Sequence, residues 1–226
     1  MIAQEEKFYM SYMSLRQTIG WIGLTMPIAV RVGGWFFERI TTLDTISDYY
    51  YTGMREVFVL ALVLVGALLT CYRTPDKLDG WIGIIAGIAA FGIALFPVDP
   101  SFADELKDKY PGAGNKECYI NHGLIGYHVY FVGTFFALAF YLMYFRFSAH
   151  TPPNPTQQKI IRNKIYKVCA ITMLLAGIAM AAFGRLKMGD AMFWAESLSV
   201  MSFAAAWLVK GQFILRDSAQ SSRVAA

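Results

Sequence analysis

Charge is scarce in this sequence. Asp, Glu, Lys and Arg make up 16% of its 226 residues, against about 25% in an ordinary soluble domain, which argues against a surface solvated on all sides. Cysteine is scarcer still: Cys71, Cys118 and Cys169 are odd in number and scattered, which excludes a disulfide framework and a thiolate zinc site. There is no glycine-rich phosphate loop, nucleophile elbow or zinc-protease helix motif, so ordinary enzyme signatures are lacking. The N-terminus opens with Glu5 and Glu6 rather than a basic stretch, and no small-residue cleavage site precedes the first apolar block; that block is expected to remain as an anchor. Neither end carries a myristoylation or prenylation signature. The net charge of +4 is not gathered on a basic face, so no nucleic-acid partner is expected.

What the chain does have is apolar sequence, 56% of residues, in continuous blocks separated by short polar stretches. The blocks are 18–37, 54–72, 81–97, 122–145, 164–184 and 191–215, each near the length that crosses a bilayer as helix, with the third short. Continuous runs, rather than alternation over about ten residues, exclude an outer-membrane barrel. The expected fold is an all-α membrane protein, one domain formed by a bundle of about six transmembrane helices. Both termini are expected on the cytoplasmic side, because the loop from Arg146 to Lys167 carries most of a basic bias. Gly83 with Gly87, and Gly177 with Ala181, are small-residue pairs suited to close helix packing within the chain or, less readily, to a homo-oligomer. No internal repeat of the kind found in inverted-repeat transporters is present.

Polar residues cluster toward the outer ends of these helices. The run SDYYYTGMRE (47–56) leads into the second block, with Thr52 placed to cap it and Arg55 and Glu56 in its first turn. An interfacial tyrosine belt explains Tyr49, Tyr50 and Tyr51 but not the crowding of Asp48, Arg55 and Glu56 beside them. Arg31 lies inside the first block and needs a partner, for which Asp48, Glu56 and Glu196 are candidates; alternatively the helix ends early and Arg31 is interfacial. Glu196 sits within the sixth block, with Ser199 and Phe203 on its face, as either a functional carboxylate or half of a structural ion pair. Ser197, Ser199 and Ser202 read as packing or back-bonding residues, and Lys210 as a side chain that snorkels to the headgroups. His122 and His128 belong to the fourth block but are about 240° apart around it, unlike a metal-binding pair one turn apart. His150 falls in a loop and reads as solvated.

The segments SISDYYYTGMREVFVLALVLVGALLTCYR, GIAAFGIALFP and RNKIYKVC resemble the DUF998-like group of bacterial multi-pass membrane proteins, over most of the span from Leu15 to Leu215. The resemblance implies a bacterial inner-membrane protein and supplies no agreed reaction or catalytic residues. A more distant similarity is to the ceramidase and adiponectin-receptor group, with Ser, Asp and His around a membrane zinc. This sequence departs from that group in lacking a His-x-x-x-His helix and in having six apolar blocks rather than seven.

Three functions compete. The first is binding of a lipid or other amphiphile in an outward-facing polar crevice formed by Arg31, Asp48, Tyr50, Arg55, Glu56, His122, His128 and Glu196, or docking on a larger membrane assembly. Membrane lipids are then the partners, with a second membrane protein as a further candidate and no cofactor required. The second is a membrane-embedded hydrolase of lipid amides or esters, in which His122, His128, Asp48 and Glu196 would hold a transition metal. The third is a proton- or ion-coupled transporter using Glu196 and His128.

Overall fold

The computed structural model describes residues 2–72, 74, 76–98, 127–149 and 151–216, and no strand occurs among them. The helices are α1 (Ile2–Glu38), α2 (Arg55–Thr70), α3 (Lys77–Leu95), α4 (His128–Tyr141), α5 (Gln157–Arg185) and α6 (Gly189–Lys210). A 3-10 turn, Ser47–Tyr51, precedes α2, and α4 runs on into a π-helical turn, Leu142–Arg146. Five of these segments are long and apolar enough to cross a membrane: Tyr12–Glu38, Lys77–Leu95, His128–Arg146, Gln157–Arg185 and Gly189–Lys210. The 16 residues of α2 reach only about 24 Å, short of a hydrocarbon core of about 30 Å.

Helix boundaries follow capping rather than hydropathy. Asp76 caps α3 by accepting from Leu78 N–H at 2.9 Å, so that helix starts at Lys77, ahead of its apolar block. Thr156 caps α5 by accepting from Lys159 N–H at 3.1 Å, which draws the polar QQKIIRNK segment into the helix. Thr52 is not the N-cap of α2, a position taken by Met54. The Thr52 hydroxyl instead accepts from Met54 N–H at 3.0 Å and donates to Tyr49 C=O at 2.8 Å, fastening the 3-10 turn to the helix start. At the other end of the chain α6 stops at Lys210, where Gln212 turns left-handed (φ 53°) and Phe213 N–H returns to Leu208 C=O at 3.1 Å.

Each helix packs against its neighbour in sequence, and α6 returns to α1. Around this ring α4 leans on α3 and meets α5 mainly through its π-helical end. Within its most apolar stretch α6 has 67% of residues buried, against 22% in α5; α6 is therefore an inner helix and α5 an outer one. Gly83 and Gly87 pack α3 directly on α2: a Cβ at Gly87 would stand 2.6 Å from Gly66 C=O, and one at Gly83 3.0 Å from Leu69 C=O. Gly177 has nothing within 4 Å of its Cβ position, so the second small-residue pair packs on no helix among the described residues at that point.

Lys210 does not snorkel. Its Nζ donates to Phe147 C=O at 2.9 Å and sits 4.8 Å from the Phe147 ring, while Arg16 donates to Lys210 C=O at 3.3 Å and Gln17 to Gly211 C=O at 2.8 Å. These side chains satisfy the carbonyls that a helix end leaves open. Nearby, Arg146 pairs with both Asp76 and Asp79, tying the π-helical turn to the start of α3.

Candidate functional site

The segment between α1 and α2 folds inward instead of lying at the surface. Ile40, Leu43, Ile46, Tyr49, Tyr50, Tyr51 and Met54 are buried. Gly53 N–H donates to Glu38 at 2.5 Å, closing the segment on the end of α1. The closure brings Ser47 and Asp48 into the bundle, both buried.

Three buried side chains from three elements meet there. Glu196 of α6 accepts from Ile46 N–H at 2.7 Å through Oε2, and its Oε1 lies 3.5 Å from the Ser47 hydroxyl. His128, at the start of α4, places Nε2 3.2 Å from Ser47 Oγ and Nδ1 2.6 Å from Phe96 C=O. A carbonyl only accepts, so Nδ1 carries a proton, and in the neutral ring Nε2 is left to accept from Ser47. The single Ser47 proton thus has two acceptors within reach, the Nε2 lone pair at 3.2 Å and, at the limit of a hydrogen bond, Glu196 Oε1 at 3.5 Å. The stretch after α3 supplies a second acceptor, Val98 C=O, to the Tyr51 hydroxyl at 2.5 Å.

Asp48 stands beside this group and forms its own reciprocal link. It accepts from Thr45 N–H at 2.7 Å, and its own N–H donates to Thr45 Oγ1 at 3.1 Å. Burial raises the Asp48 carboxyl to about 7, against the pull of the two Thr45 bonds, and the Asp44 carboxylate adds to the rise.

A narrow cleft runs from Ser47 and Glu196 toward the middle of the bundle, between Met26, Phe58, Leu62, Phe135 and Phe203. Its wall extends along α6 from Glu196 to Phe203, about 10 Å of helix. Its free space of about 50 Å³ admits a slender group only.

The eight residues expected to share one crevice are divided by the structure. Asp48, His128 and Glu196 gather around Ser47. Tyr50 and Arg55 form a separate pair, the guanidinium donating to the Tyr50 hydroxyl at 2.8 Å and lying 4.5 Å from its ring centre. Arg31 remains within α1, which does not end early. It lies half-buried, 5.1 Å from the Trp194 ring centre, in an open hollow shared with Val32, Trp35 and Thr41. Glu56 is exposed, and His122 lies outside the described residues, as does His150. No three His, Cys, Asp or Glu side chains converge as a metal would require among the described residues. Ser199 spans to α5 by donating to Met173 C=O at 3.0 Å.

The sequence reading missed Ser47 as a member of the site, and it missed the role of Phe96 C=O. Ser47 is the first residue of the polar run before α2, but a lone serine carries little signal. A backbone carbonyl carries none. The chain matches no family model, no curated protein and no solved structure.

Proposed function

We propose that this chain is a bacterial inner-membrane protein that binds a single-chain amphiphile, seating its polar end at Ser47, His128 and Glu196 and its hydrocarbon in the cleft below. In this reading α2 is the sixth span, a short one that begins after the 3-10 turn, and both termini are cytoplasmic, the side that gathers the larger share of basic residues. The observation that carries the proposal is the union of a buried polar group with an apolar cleft at its foot, the usual composition of a small-molecule site. A second acyl chain would exceed the free space, so the ligand has one chain, of which only the first few carbons lie inside the cleft.

Retention of octanol by the detergent-purified protein, read by native mass spectrometry, tests the proposal. Leu62→Trp fills the cleft and is expected to lower retention at least about tenfold. Arg31→Ala and Arg55→Ala lie outside it and are expected to leave retention unchanged. Equal retention in Leu62→Trp and wild type would overturn the reading.

A further inference from the structure

Ser47 and His128 have the arrangement of an activated nucleophile: a hydroxyl within hydrogen-bond reach of a base, and that base oriented by a third group. The hydroxyl-to-Nε2 distance is 3.2 Å, and the third group is Phe96 C=O, 2.6 Å from Nδ1. Fixing the Nδ1–H tautomer is the task that a carboxylate performs in the serine hydrolase triad. Here a carbonyl performs it; the base is buried, and the hydroxyl it faces lines the apolar cleft.

We propose that Ser47 is an acyl-accepting nucleophile, with His128 as its general base, acting on esters of single-chain fatty acids whose hydrocarbon occupies the cleft. The proposal rests on the binding reading above and adds a reaction to it. Ser47 Oγ bonds to the ester carbonyl carbon while the bond from that carbon to the alcohol oxygen breaks. The Oγ proton passes to Nε2 of His128 and from there to the departing alcohol. Water then attacks the acyl-serine, giving its proton to His128; the bond from Oγ to the acyl carbon breaks, and the proton returns to Ser47. The products are one alcohol and one fatty acid per water consumed.

Glu196 acts as a positioning residue. By accepting from Ile46 N–H it holds the turn that carries Ser47 against α6. The N–H groups on either side of Ser47 are occupied, Ile46 by Glu196 and Asp48 by Thr45 Oγ1 at 3.1 Å. Neither is free to stabilise a developing oxyanion, so acylation is expected to be slow. Covalent capture is therefore a more sensitive readout than turnover.

The test is incubation of the detergent-purified full chain with octyl fluorophosphonate, followed by peptide mass spectrometry. The expected result is one octylphosphonyl adduct on Ser47, formed as Oγ bonds to phosphorus and fluoride leaves. Labelling is expected to disappear in Ser47→Ala and to slow at least tenfold in His128→Gln, in a wild-type chain that retains octanol. Protein that retains octanol yet shows no adduct on Ser47, or labels at the same rate with His128→Gln, overturns this inference and leaves the binding reading standing. Loss of both octanol retention and labelling in the wild-type chain overturns the two together.

Discussion

Ser47 and His128 are 81 residues apart in the chain and 3.2 Å apart at Oγ and Nε2. Three local features produce that contact. The segment after α1 turns inward, α3 ends so that Phe96 C=O faces the start of α4, and the interior of the ring is small enough for both side chains to reach one point.

The link between Glu196 and Ile46 N–H ties this segment to α6. Glu196→Ala leaves a buried N–H without its acceptor and is expected to cost about 1 to 3 kcal/mol. Glu196→Gln keeps an acceptor oxygen and should cost less. Thermal unfolding in a fixed detergent, followed by near-UV circular dichroism, distinguishes the two, and equal losses would show that the hydrogen bond to Ile46 is not what matters.

Asp48 predicts a pH dependence whose sign runs opposite to that of a salt-bridged carboxylate. Its folded value of about 7 lies above the ordinary aspartate value of 3.8, so the folded chain binds a proton that the unfolded chain gives up between those two pH values. The contribution is fully present below about pH 4 and is lost as pH rises through about 7. Melting temperature is expected to fall across this window in the wild type and to change less in Asp48→Asn. Identical pH profiles for the two proteins would refute the assignment.

The α2–α3 contact is a backbone contact. Gly87→Ala would place a methyl 2.6 Å from Gly66 C=O and an equal distance from the Thr70 side chain. Overpacking of this kind costs about 1 to 3 kcal/mol. Gly177→Ala meets nothing within 4 Å and is expected to stay within about 0.5 kcal/mol of wild type. A denaturation series on both variants checks the contrast, which reverses if the second small-residue pair is the one that packs.

At the opposite end from the site, Arg146 holds Asp76 and Asp79 together, with Asp79 buried at the start of α3. Arg146→Met removes the partner of a buried carboxylate. The expected loss is about 1 to 2 kcal/mol, between the values for exposed and fully buried pairs. Asp79→Asn in the Arg146→Met background should restore part of it, a coupling that a double-mutant cycle measures.

The helical class and the apolar character were legible because they are properties of composition and run length, which need no partner. The contributions of Asp48, His128 and Glu196 were legible as polar residues out of place among apolar ones, since burying such groups is costly wherever it occurs. Arg31, Arg55 and Glu56 looked equivalent to them in sequence. The structure separates them because the direction of a side chain depends on helix rotation and on neighbours: Arg31 turns to Trp194 and Arg55 to Tyr50. Hydropathy also set the helix ends too narrowly at α3 and α5, where the caps Asp76 and Thr156 decide. What only the tertiary structure decided is the meeting of Ser47 with His128, Phe96 C=O and Glu196. A carbonyl's direction is a backbone property, and a contact across 81 residues follows from how helices pack, neither of which a local pattern of residues encodes.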